Sequence, residues 1–181
     1  SNRQQIIDNS EFDIPGENLS WFLYVDIYCI DYNGNVFDAS LISLLAALSN
    51  GIYLNFKKFN NNFSTVRLPE VRMKNNQVVA TKERKRKLKI SQFPVSLSFG
   101  TVESYTLCDP TAEEEVLNDT TFSIIVDGAS GSLLAVLRPG SGGNEDITFE
   151  GAELKTCIQR THQRAKQVME LVGNATATSG N

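Results

Sequence analysis

A single histidine, three cysteines and no apolar run near the ~20 residues of a membrane-spanning helix set the first limits on this 181-residue chain. The histidine, His162, stands in a helical pattern beside Thr161, Gln163 and Arg164, and no nucleophile motif ties a serine or cysteine to it. Cys29, Cys108 and Cys157 are odd in number and far apart, which suits buried thiols in a reducing compartment better than disulfides or a metal cluster. The glycine-rich residues 140–143 lack the Lys-Ser/Thr that completes a phosphate-binding P-loop. There is no RNP-type aromatic motif for reading bases, and no internal repeat. The opening SNRQQIIDNS has neither an apolar signal core nor an initiator methionine, so the chain is expected to be a piece of something longer.

What is present is an ordinary globular composition, 41% hydrophobic and 21% charged, enough for one domain that buries roughly 70% of its unfolded surface. The formal charge of −4 makes the whole surface no general attractor of nucleic acid, but the charge is unevenly placed. Lys82–Lys89 (KERKRKLK) carries +5, which leaves −9 on the rest of the chain. This octet is expected to be exposed. It reads as a solvated loop, as an address signal, or as a phosphate-contacting segment through Arg84, Lys85, Arg86, Lys87 and Lys89.

The organising stretch runs from Trp21 to Asn50. Trp21–Ile30 is rich in aromatic and β-branched residues and predicts a strand. Asp31-Tyr32-Asn33-Gly34-Asn35 then predicts a turn, and Leu41, Leu44, Leu45 and Leu48 predict an amphipathic helix from Val36. A strand, turn and helix in that order begin a layered α/β domain. Phosphate sites often occupy such turns, yet Asp31 to Asp38 contains no Arg, Lys, Ser or Thr. Acids and amides stand there instead.

Arg3–Asn9 is expected to be the end of a helix, and Asp13-Ile14-Pro15-Gly16 a turn. Thr65–Arg72 predicts a strand edged at Pro69, Val78–Ala80 a short extended piece, and Phe93–Phe99 a strand of clean period two. Tyr105–Cys108 is a further strand. Asp109-Pro110-Thr111 opens an acidic helix to Leu117, with Asp109 expected as its cap. Thr121–Val126 and Ser132–Leu137 form a hairpin over residues 127–131. A last helix is expected from Asn144, with Ile147, Leu154, Ile158, Ala165, Val168 and Val172 on one face, fraying from Ala175.

Two segments carry a family resemblance. One is Asp31-x-x-Gly34-Asn35-x-x-Asp38-Ala39 behind the Trp-led strand. The other is Cys108-Asp109-Pro110-Thr111-x-x-Glu114-Glu115, followed by a hairpin and a long terminal helix. In this order they resemble the ribonuclease PH-like family, over roughly residues 3–173, and most closely the non-catalytic ring subunits of the eukaryotic RNA exosome.

The resemblance implies an α/β (α+β) fold in which a sheet carries packed helices and a long C-terminal helix. It implies subunits of two similar halves, with residues 1–20 ending the first half, 21–173 forming the second and 174–181 a flexible tail. Active members hold phosphate with a Gly-Ser/Thr-Arg turn where Gly34-Asn35-Val36 stands here, and use two aspartates. Asp109 matches the first of these and Glu115 falls near the second. An Asp-to-Glu change displaces the carboxylate beyond the ~0.5 Å tolerance of a working site, so the pair is read as vestigial. The implied function is a structural, inactive subunit of the exosome ring that helps channel RNA for 3′-to-5′ decay. The alternatives are a phosphate-dependent 3′ exoribonuclease, or a free-standing RNA-binding module using the octet. Implied partners are other ring and cap subunits and, through the assembly, RNA, with no membrane, metal or cofactor. The isolated chain is expected to self-associate. The implied location is nucleus and nucleolus, with cytoplasm.

Overall fold

In a computed structural model of the chain, the described residues are 6–49, 67–74, 77–83, 86–87, 89–103, 105–138 and 151–178. In chain order they form a 3-10 helix (Asn9–Phe12), α1 (Val36–Ser49), β1 (Arg67–Leu68), β2 (Val71–Lys74), β3 (Gln77–Ala80), β4 (Arg86–Lys87), β5 (Pro94–Val102), β6 (Tyr105–Cys108), α2 (Ala112–Leu117), β7 (Thr120–Asp127), β8 (Leu133–Leu137) and α3 (Gly151–Thr178). Two compact units divide the chain. One comprises Ser1–Asp26, Leu45–Gln92 and Val172–Asn181, the other Ile27–Leu44 and Phe93–Leu171.

The second unit is built on period two. Val95, Leu97 and Phe99 of β5 stand directly opposite Val126, Ile124 and Phe122 of β7, and all six are buried. The Phe99 and Phe122 rings stack with centroids 5.1 Å apart. Side chains of this kind contribute about 1.5–3 kcal/mol each when fully buried. The sheet order is β6-β5-β7-β8, with a register shift between Ile125 and Val126. Every described strand pairing is antiparallel, so the expected class is seen in its α+β form.

Cys157, Thr161, Ala165 and Val168 recur at helical spacing on α3 and are buried. Arg160 meets Cys108 at the end of β6, and His162 meets the Gly131 carbonyl in the β7–β8 turn. Cys108 lies opposite Phe99, so α3 covers the Phe99 face of the sheet. A Cβ on Gly128 would come within 2.8 Å of the Met169 sulfur, so this turn lies tight against the helix.

In the first unit Ile7 bridges to Ile90, and the Ser91 N–H donates to the residue 6 carbonyl at 2.7 Å. The β2–β3 hairpin and the β1–β4 ladder complete it, with Leu68, Ile90 and Ile14 buried. Pro15-Gly16 turns as expected, with Gly16 at φ +83°.

Several expectations are corrected. Residues 6–8 are not helical, and Asp8 instead caps the 3-10 helix that follows. Pro69-Glu70 splits the expected Thr65–Arg72 strand into β1 and the start of β2. Trp21–Ile30 forms no strand. Trp21 is half-buried and its N–H donates to the Phe12 carbonyl at 2.8 Å, but residues 22–30 are exposed, Tyr24 at 87% and Ile30 at 98%, because a strand exists only against a partner and none of the described strands pairs with them. Cys29 within it is exposed rather than buried. The acidic helix starts at Ala112, not at Pro110. Residues 174–178, expected as a frayed tail, continue α3. The expected helix start at Asn144 and Ile147, with the loop at 139–143, lies outside the described residues.

Candidate functional site

The turn before α1 requires an unusual backbone. Gly34 has φ +91° and Asn35 φ +48°, values that glycine and asparagine tolerate best. Gly34 is needed for space as well. A Cβ there would lie 2.6 Å from the Thr111 carbonyl carbon and 2.7 Å from the Ala112 nitrogen. The turn is thus pressed, backbone to backbone, onto the start of α2.

That contact gathers three carboxylates around Asn35. Its N–H donates to Glu115 Oε1 at 2.8 Å. Its side-chain amide donates to Asp38 Oδ2 at 2.8 Å and also to Asp109 Oδ1, using both of its hydrogens. Asp38, in the first turn of α1, is buried and accepts from Ser98 twice, from the N–H at 2.8 Å and from the hydroxyl at 2.9 Å. The Ser98 hydroxyl lies 2.8 Å from that of Ser123 across the ladder. Asp109 has φ +54°, and its N–H donates to the Ser98 carbonyl at 2.9 Å. Tyr32 closes the cluster by donating its hydroxyl to Glu115 Oε2. That bond holds the Tyr32 phenol above its usual titration range, with desolvation and the Glu115 charge adding to it.

The structure therefore brings Asp109 and Glu115 together, but not in the expected roles. Thr111 is the N-cap of α2 and forms a capping box with Glu114, while Asp109 stands two residues earlier and is tied to Asn35. The side chains that donate to Asp38, Asp109 and Glu115 are all neutral: Asn35, Ser98 and Tyr32. Among the described residues, a dianion in this place would meet three carboxylates and no hydrogen-bonded cation. Unit charges 4 Å apart repel by about 1 kcal/mol even in bulk water. Tyr32 and Ser98 were not singled out from the sequence. The Ser96-x-Ser98 alternation within a core strand was the available signal.

The basic candidates belong to the other unit. Lys89 is exposed, as are Lys82 and Glu83. Arg86 and Lys87 lie in β4, whose backbone pairs with Leu68 and Arg67, so this part of the octet is strand rather than loop. Arg84 and Lys85 lie outside the described residues. Among the described residues, no helix is long and apolar enough to cross a membrane, and no group of three or more His, Cys, Asp or Glu could hold a metal ion.

Comparison with known proteins agrees with this architecture. Residues 92–164 match the family described as 3′ exoribonuclease family, domain 2. The exosome complex component Rrp42 of Methanopyrus kandleri is 31% identical over 168 residues, which is 93% of this chain and 55% of that protein. The same component of Aeropyrum pernix is 29% identical over 138 residues, 75% of this chain and 44% of that protein. The chain spans about half the length of the curated relatives it matches. Among solved structures, a chain of an archaeal exosome core superposes with a TM-score of 0.63 at 21% identity, covering 94% of this chain and 57% of that one. A chain of the Archaeoglobus fulgidus exosome with RNA bound to the active site gives a TM-score of 0.51 at 21% identity, covering 78% and 44%. These two likenesses establish the fold. The relatives named here are archaeal, whereas the sequence resemblance was to eukaryotic ring subunits.

Proposed function

The chain belongs to the ribonuclease PH-like family of 3′ exoribonucleases, and from that premise we propose that it is the second half of an exosome ring subunit that is itself catalytically inert. Its role is to shape the ring and the path of RNA toward a neighbour that performs the phosphorolysis. The observation that carries this reading is the closed carboxylate cluster. Asp38, Asp109 and Glu115 are satisfied by neutral donors, and the turn that faces them offers no cation for inorganic phosphate. Phosphoryl transfer depends above all on such positive charge, so its absence removes the largest catalytic contribution.

The exposed apolar stretch Phe22–Ile30 supports the assembly part of the reading. Phe22, Tyr24, Tyr28 and Ile30 are almost fully solvated, and a further half of the kind the resemblance implies would cover them. Partners are then the adjoining half and the neighbouring ring and cap subunits. RNA is bound through the assembly, with the exposed Lys82 and Lys89 available to its phosphates.

The test is an RNA-trimming assay on the full-length protein assembled with its ring partners, with and without inorganic phosphate. Asp109→Asn is expected to leave phosphate-dependent shortening of the 3′ end unchanged. Shortening abolished by Asp109→Asn, with the ring intact, would decide instead for the phosphorolytic enzyme.

A further inference from the structure

The first unit holds a recess of its own, about 340 Å³ in volume, which falls within the usual range of ligand pockets. Two stretches far apart in sequence line it, one from residues 13–21 and one from residues 69–72. Each is fixed by main-chain hydrogen bonds. The Ile14 N–H donates to the Leu19 carbonyl at 2.9 Å, and the Trp21 N–H to the Phe12 carbonyl at 2.8 Å. The Glu70 N–H donates to the Glu83 carbonyl at 2.8 Å, while the Glu70 carbonyl accepts from the Thr81 N–H at 2.7 Å. Pro15 and Pro69 stiffen the walls further, since a proline ring locks its own backbone angle. A recess formed in advance spares its occupant the cost of ordering it.

Its lining combines an indole with acids. Ile14 and Trp21 supply apolar surface, and Trp21 is the single tryptophan of the chain. Asp13 and Glu70 stand with them. Asp13 accepts the Ser20 hydroxyl at 2.7 Å on Oδ1, and a carboxylate has lone pairs for several donors. The lining cation, Arg72, is paired with Glu83 at 3.4 Å, so Asp13, Glu70 and Glu83 together outweigh it in formal charge. Asp13, Pro15 and Arg72 are exposed, which leaves the mouth open to a longer chain passing over it.

We propose that this recess takes an arginine side chain presented by a short peptide segment of a partner protein. A guanidinium over an indole face gains cation–π attraction, for which tryptophan is the best ring and arginine the commoner cation. The planar guanidinium fork also donates to a carboxylate in pairs, which the point charge of a lysine does not match. Nucleic acid fits less well, because a base stacked on the indole would bring its phosphates against Asp13 and Glu70. The proposal stands apart from catalytic inertness, since no residue of the carboxylate cluster lines the recess.

Trp21 is its own reporter, as no other tryptophan contributes to the emission. The intact chain is titrated at low salt with acetyl-Ala-Arg-Ala-amide and with its lysine and citrulline counterparts. The arginine peptide should shift the emission along a saturating curve with a dissociation constant of about 1 mM or tighter. The citrulline peptide, of like shape without the charge, should bind about tenfold more weakly, and the lysine peptide about threefold more weakly. Added salt should weaken the arginine peptide. Calorimetry should show a loss of about threefold for Asp13→Asn and for Glu70→Gln. The comparison of arginine with citrulline on the unaltered chain needs no variant to fold. An emission change that grows linearly without saturating, or equal binding of the citrulline peptide, would overturn the proposal. So would an oligouridylate or free arginine that binds more tightly than the arginine peptide. Binding by this chain that vanishes in the full-length subunit would also overturn it, by showing the recess to be covered by the adjoining half.

Discussion

Ser98 holds Asp38 with two hydrogen bonds, its N–H at 2.8 Å to one carboxylate oxygen and its hydroxyl at 2.9 Å to the other. The two residues are 60 positions apart, so this contact pins the first turn of α1 to the middle of the β5 strand. Asp38→Ala would leave the Ser98 N–H and the Asn35 amide without their buried acceptor, at a cost of about 1–3 kcal/mol for each donor stranded. Chemical denaturation should show the midpoint falling by that amount with an unchanged m-value. Asp38→Asn, which keeps one acceptor oxygen, should lose less.

Gly34→Ala should cost more than about 2 kcal/mol, because it combines a strained positive φ with a backbone collision. The added Cβ meets the Thr111 carbonyl carbon and the Ala112 nitrogen, main-chain atoms that cannot rotate away as a side chain would. The substitution should therefore separate the turn from α2 and loosen the Asn35 bond to Glu115. Hydrogen exchange at the Asn35 amide is the direct measure, and it should accelerate far more than amides in β7.

The elements legible in the sequence were those whose cause is local. Phe93–Phe99 alternates, and it became β5; Leu41 to Leu48 recurs at helical spacing, and it became the middle of α1. Gly34-Asn35 signalled a positive-φ turn, and both residues adopt one. Trp21–Ile30 was misread because its composition suits a strand whereas its state depends on a partner. Asp109 was misread for a related reason. Aspartate before proline is good cap chemistry, but Thr111 captures the α2 end and leaves Asp109 to Asn35, a bond across 74 positions that no window of sequence contains. The pairing of Tyr32 with Glu115 is hidden in the same way.

Thr111→Ala should cost about 1 kcal/mol through the lost capping box, the effect that Asp109 was expected to carry. Asp109→Ala should act differently, by releasing one hydrogen of the Asn35 amide while leaving α2 capped. Far-ultraviolet circular dichroism with thermal denaturation on the two single variants and the double separates these roles. Effects that add within about 0.5 kcal/mol are expected for sites that share no partner.

Tyr32 makes a prediction about alkaline pH. Its phenol is raised above the ordinary value of 10.0 because the protonated form donates to Glu115. A raised acid stabilises the fold while it keeps its proton, so the contribution is complete below the ordinary value and disappears as pH climbs through the raised one. The stability difference between the unaltered chain and Tyr32→Phe should be constant at neutral pH and shrink to nothing in strong alkali. Absorbance titration should show the tyrosine signal missing from Tyr32→Phe to be a late-ionising one. An early-ionising signal missing instead would mean that the bond to Glu115 is not made in solution.

The exposed run from Phe22 to Ile30 predicts how the isolated chain behaves. Phe22 and Tyr28 are each 83% exposed, and Leu23, Val25 and Ile27 between them are also exposed, so apolar groups at alternate and at intervening positions of the run all stand in water. An apolar run of that kind has the character of a strand covered on both faces. Aromatic side chains hide roughly 150–250 Å² each when buried, and several together exceed the patch that a soluble monomer ordinarily leaves in water. Unpaired backbone groups beside them add a template for pairing with another chain. The chain should therefore form dimers or larger species in sedimentation, more so at high salt, where apolar association strengthens and charge repulsion is screened. Replacing Phe22, Tyr24 and Tyr28 together by serine should shift it to monomer without changing the circular dichroism of the β5–β8 sheet. A strictly monomeric unaltered chain at high concentration would remove this face as an assembly surface, and with it the support it lends to a second half seated there.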